Sequence, residues 1–89
     1  MTLENTIKKA EKISGEKIQF NGCQFWVNYK GHIVSFHANG RIEPGCESTC
    51  FYTSNRARTY EDHMTDYFPG TFHDNITQAF KFVDRNNYK

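Results

Sequence analysis

At 89 residues the chain is long enough for a single domain with one modest core, and too short for several. A formal net charge of +1 excludes a polyanionic nucleic-acid mimic and supplies no bulk basic attraction to nucleic acid, so electrostatic binding has to come from local clusters. Eight Phe, five Tyr and one Trp against a single leucine, Leu3, mean that the core is packed with rings.

Thr2 to Ser14 predicts an amphipathic helix. Leu3, Ile7, Ala10 and Ile13 recur at helical spacing, Thr2 caps the start, and Gly15 follows the end. Lys8, Lys9, Glu11 and Lys12 occupy its other face. The start Met1-Thr2-Leu3-Glu4-Asn5 has neither a basic run nor an apolar one, so no signal peptide is expected.

Three turn dipeptides then follow at equal spacing: Asn21-Gly22, Lys30-Gly31 and Asn39-Gly40. They predict an antiparallel meander from Lys17 to about Ile42. A two-residue loop at Lys30-Gly31 pairs Tyr29 with His32, Val27 with Val34, Phe25 with Phe36 and Cys23 with Ala38 on one apolar face. The other face carries Asn28 with Ile33, Trp26 with Ser35 and Gln24 with His37. The same reading at Asn21-Gly22 sets Phe20 beside Cys23 and Ile18 beside Phe25, with Lys17 and Gln19 on the polar face. At the third turn, a three-residue loop with a bulge at Gly40 returns Ile42 to the core. Glu43 to Glu47 is a turn, and Ser48 to Thr53 a further strand.

Ser54 to Gly70 is irregular and polar but carries Tyr60, Met64, Tyr67 and Phe68, as expected of a loop that packs, with a short helix around Thr59 to Met64. Thr71 with Asp74 reads as a capping pair, and Phe72, Ile76, Ala79, Phe80 and Val83 as one stripe of a last helix ending near Asn86. The fold class is therefore α+β over 1–89: a four- to five-stranded antiparallel meander with N- and C-terminal helices on the Phe25/Phe36 face.

Chemistry-bearing patterns are sparse. An odd count of three cysteines argues against a secreted disulfide framework and for a reduced, cytoplasmic chain. Cys46 and Cys50 form one loose pair without a second, so no metal is expected; Cys23 and Cys50 read as buried and Cys46 as a turn residue. Glu61, Asp62, His63 and Asp66 form an acidic cluster that reads as solvated. No phosphate-cradling glycine pattern, nucleophile context or membrane-length apolar run occurs, so neither enzyme, cofactor nor membrane is expected.

Recognition is the remaining class. Trp26 on the polar face with Ile33 and His37, plus Arg56, Arg58 and Tyr60, have the composition of an interface core; the alternative for Trp26 is that the Tyr60 to Phe72 segment folds over it as a second small core. An edge strand near Ile42 or Ser48 offers strand addition. Lys8, Lys9, Lys12 and the two arginines offer phosphate contacts for direct RNA or DNA binding. The α-β-β-β-α order resembles the double-stranded RNA-binding domain, although the family's lysine-rich start of the last helix reads here Thr71-Phe72-His73-Asp74-Asn75. In general character, over its whole length and without a shared motif, the chain resembles the small accessory proteins of bacteriophages, among them the anti-CRISPR inhibitors. That resemblance implies a non-enzymatic inhibitor or adaptor that binds a host defence nucleoprotein, through its protein or its guide RNA.

Overall fold

The computed structural model describes residues 1–22, 24–43, 45–55 and 70–86. Helix α1 (Leu3–Ser14) is followed by strands β1 (Gln19–Phe20), β2 (Phe25–Tyr29), β3 (His32–Ala38), β4 (Ser48–Ser54) and β5 (Gly70–His73), and by helix α2 (Ile76–Asn86). The five strands form one antiparallel sheet in chain order. The α+β architecture is as expected, with both helices against the same sheet face.

Helix α1 begins where expected. The Thr2 hydroxyl accepts from the Asn5 N–H at 3.2 Å, and Gly15, left-handed at φ 73°, donates its N–H to Glu11. Leu3, Thr6 and Ala10 are buried beneath the helix. Helix α2 buries Ile76, Ala79, Phe80 and Val83. These residues meet Phe25, Val27, Val34, Phe36 and Phe51 in one core. A clasp pins the end of α2 to the β2–β3 hairpin: Tyr29 Oη donates to Asp84 Oδ1 at 2.9 Å, and Lys30 Nζ at 2.7 Å. The Lys30 ammonium beside it holds the Asp84 carboxyl below its ordinary range, while partial burial and that same carboxylate push the Tyr29 hydroxyl up.

The β2–β3 ladder has the expected register, with Phe25 on Phe36, Val27 on Val34 and Tyr29 on His32. The first hairpin does not. Gln19 pairs with Trp26 and Phe20 with Phe25, two residues away from the expected partners. The ladder closes further along, where Asn21 N–H donates to the Gln24 carbonyl at 3.2 Å and Asn21 Oδ1 accepts from the Gln24 N–H at 2.8 Å. A slip of two leaves every side chain on its face, so Phe20 still stacks on Phe25, at 4.4 Å between centroids. The expected Cys23 pairing lies outside the described residues.

The third turn is replaced by a longer connection. Asn39 N–H donates to the Glu47 carbonyl at 2.7 Å, and β3 continues directly into pairing with β4. Arg41, Ile42 and Glu43 are exposed, so Ile42 is neither a strand residue nor part of the core, and Ser48 opens a strand that lies between β3 and β5 in the sheet, its N–H donating to the Met1 carbonyl at 3.3 Å.

At the other end, Phe72 belongs to β5 and not to the last helix. The cap of α2 is Asn75, whose Oδ1 accepts from the Gln78 N–H at 2.9 Å, in place of Thr71. The Thr59–Met64 helix and the Glu61, Asp62, His63 and Asp66 cluster lie outside the described residues.

Strand β4 carries a bulge. Ser35 pairs with Tyr52 but His37 with Thr49, so β4 spends one extra residue there, and Cys50 takes a left-handed conformation at φ 57°. The bulge lets Ser48 and Phe51, three apart, both point to the helices. Ser48 Oγ lies 2.6 Å from the buried Thr6 hydroxyl, and Phe51 enters the core. Cys50 is consequently exposed, not buried as expected, and Cys46 is half-buried against the core.

Candidate binding surface

The sheet face away from the helices carries the most distinctive arrangement. Strand alternation and the observed registers bring Gln19, Trp26, Ser35, Tyr52 and Phe72 into one transverse row, one residue from each strand. Tyr52 and Phe72 meet edge to face at 5.1 Å. Burial along the row is uneven. Ser35 is buried at its centre beside Ile33, which is 0% exposed; Trp26 and Tyr52 are half-buried; Phe72, on the edge strand, is 68% exposed.

Gly70 shapes this row by having no side chain. The Tyr52 ring lies across it, and a Cβ built on Gly70 would fall inside the ring. The glycine thus supplies a close approach between neighbouring strands. At the other end of the row, Glu16, Lys17, Gln19, Asn28 and Trp26 border an open cleft of about 370 Å³. His37 is half-buried on the same face, one step along β3 from Ser35.

The remaining sequence candidates stand elsewhere. Lys8, Lys9 and Lys12 are exposed on the outer side of α1, across the sheet from Trp26. Lys8 is within 3.5 Å of Glu4. Arg56, Arg58 and Tyr60 lie outside the described residues. The structure therefore brings Trp26 and His37 onto one face and separates them from the lysines. Tyr52 and Phe72, the other aromatics of the row, carried no functional signal in the sequence. Their one hint is the short alternating run Gly70-Thr71-Phe72-His73, whose Phe72 also fits the helical stripe that follows.

Thr53 Oγ1 and His73 Nε2 share a hydrogen bond of 2.8 Å, a length suited to a nucleophile and its base. Burial, chiefly, and the positive field of Arg85 lower the His73 pKa from its ordinary 6.5, with Asp74 opposing them. Thr53, however, is completely buried, so the pair ties β5 to β4 and offers no route to a substrate. His32 is also buried, and its Nδ1 donates to the Ser54 carbonyl at 3.0 Å, another tie between strands. Among the described residues no three His, Cys, Asp or Glu side chains converge on a metal position, and no helix is long and apolar enough to cross a membrane. No protein-family model, curated protein or solved structure matches the chain.

Proposed function

We propose that this chain is a non-enzymatic binding protein that docks on a protein partner through the second face of its sheet, with Phe72 and Trp26 as anchors. In this reading it works in the cytoplasm as a stoichiometric inhibitor or adaptor on a host protein or nucleoprotein complex. The observation that carries it is Phe72: a ring 68% exposed at the end of an ordered aromatic row. A few aromatic anchors supply most of the energy of protein interfaces. A large exposed ring on a short edge strand costs solubility without contributing to the core, and a partner that covers it offsets that cost.

Direct nucleic-acid binding is less well supported by the same geometry. Bases stacking on a sheet need phosphate contacts alongside the rings. Lys8, Lys9 and Lys12 lie on the far side of the molecule, and Lys17 is the nearest cation to the row among the described residues that border its cleft.

The test is affinity capture of tagged protein from a bacterial lysate with and without nuclease, followed by rebinding of the purified partner to the wild type and to Phe72→Ser. A discrete protein partner that survives nuclease, binds at fixed stoichiometry and is lost with Phe72→Ser supports the reading. Recovery of nucleic acid alone, abolished by nuclease, overturns it.

A further inference from the structure

The chain holds two Asn-Gly dipeptides, the sequence context most prone to spontaneous deamidation, because glycine puts no Cβ in the way of the attacking nitrogen. The fold treats the two differently. At Asn21 the side chain is occupied: its Oδ1 accepts from the Gln24 N–H at 2.8 Å while its own N–H binds the Gln24 carbonyl at 3.2 Å. At Asn39 only the main chain is held, by the 2.7 Å bond from its N–H to the Glu47 carbonyl. The Asn39 carboxamide makes no hydrogen bond, and both Asn39 and Gly40 are exposed. The Gly40 N–H is not engaged, its φ is +94°, and nothing lies within 4 Å of where a Cβ would stand. Carboxamide and nucleophile are thus both free in one bend and open to water.

We infer that Asn39-Gly40 is a self-modification site that converts ahead of Asn21-Gly22 in the folded protein. The Gly40 nitrogen, having lost its proton to hydroxide, attacks Asn39 Cγ, and a C–N bond forms. The Cγ–Nδ2 bond breaks, and the side-chain nitrogen leaves as ammonia with the proton it takes from water. The cyclic imide that results is opened by water at either carbonyl, giving aspartate or isoaspartate. No oxidant or enzyme is needed. Conversion of Asn39 adds one negative charge and takes the formal net charge from +1 to zero, where solubility is lowest. The isoaspartate product also lengthens the main chain just beyond the Ala38–Ser48 pair that ends the β3–β4 ladder.

The test is incubation of the folded protein at mildly alkaline pH, with peptide mapping by mass spectrometry and isoaspartate detection over time. A parallel sample is kept in denaturant. The expected result is that the mass change of amide to carboxyl accumulates in the peptide holding Asn39 while Asn21 stays intact. In denaturant the two sites should convert at similar rates, since both are followed by glycine. Conversion of Asn21 first or equally fast in the folded protein overturns the inference. So does a preference for Asn39 that persists unchanged in denaturant, because it would then owe nothing to the fold. Asn39→Gln should abolish the early charge change on ion exchange; its persistence in that variant would also overturn the assignment.

Discussion

The two faces of the sheet both carry aromatic rings and end in different states. On one, Phe25, Val27, Val34, Phe36 and Phe51 are sealed beneath α1 and α2 in a continuous apolar core. On the other, a single row runs from Gln19 through Trp26, Ser35 and Tyr52 to Phe72, buried at its centre and open at its edge. Phe36 and Phe72 differ neither in chemistry nor in secondary structure. They differ in what covers them: 0% of one and 68% of the other is exposed. A phenylalanine in a strand is therefore not by itself a core residue, and its energetic role follows from the layer above it.

The largest way to sharpen that contrast is Phe36→Ala. Removing a completely buried ring costs about 3–5 kcal/mol, the transfer energy of the ring plus the cavity it leaves. A small domain has about 5–15 kcal/mol in all. The variant should lose most of its urea midpoint or fail to fold cooperatively. A loss under about 1 kcal/mol would mean that the helix layer does not seal this face.

Gly70→Ala comes next and probes the second face. A methyl group there meets the Tyr52 ring, which must swing away, and overpacking of that kind costs about 1–3 kcal/mol. The cause is checked by repeating the change in a Tyr52→Ala background, where the penalty should shrink by about 0.5 kcal/mol or more. An undiminished penalty would assign it to the β5 backbone in place of the ring.

These contrasts also mark where the sequence stops being readable. Helix α1 and the Lys30-Gly31 hairpin were legible because their signals are local: Thr2, Gly15 and a two-residue loop each act within a few positions. Asn21-Gly22 announced a hairpin correctly but misplaced its closure by two, since the Gln24 N–H finds the Asn21 side chain and only the neighbouring polar groups decide that competition. Parity alone places Ile42 in the core, whereas β3 has a better partner in β4 that no local signal announces. Phe72 eludes a sequence reading because 72, 76, 79, 80 and 83 fit a helical period, while its pairing with Tyr52 bridges a long intervening segment. The aromatic row depends on that pairing and on the bulge at Cys50, so the surface was invisible although Trp26, its first aromatic, was singled out.

A pH effect of smaller size belongs to the covered side. His73, tied to Thr53 and tilted against the Phe82 ring at 5.0 Å between centroids, has its folded pKa lowered below the ordinary 6.5, chiefly by burial and then by Arg85. The unfolded chain binds its proton more readily, so stability is fully present above about pH 6.5 and falls as pH drops from there through the folded pKa. Stability curves of wild type and His73→Gln should diverge in slope over that window, with the wild type the steeper. Parallel curves would mean that His73 titrates as it does in water.

The smallest effect on the fold is expected at Phe72, and it decides what the second face is for. Phe72→Ser removes a mostly exposed ring whose aromatic contact with Tyr52 is worth about 0.5–1.5 kcal/mol at most, so the urea midpoint should move little. Partner binding should behave oppositely, because truncating an aromatic anchor at an interface costs about 2 kcal/mol or more, a loss of over tenfold in affinity. Phe36→Ala and Phe72→Ser together then separate folding from recognition within one sheet. The first should abolish binding only by abolishing the fold, and the second should abolish binding while the fold persists. A Phe72→Ser protein as destabilised as Phe36→Ala would make the second face another core and remove Phe72 as an anchor. A stable Phe72→Ser protein that still binds would move the docking surface elsewhere on the molecule.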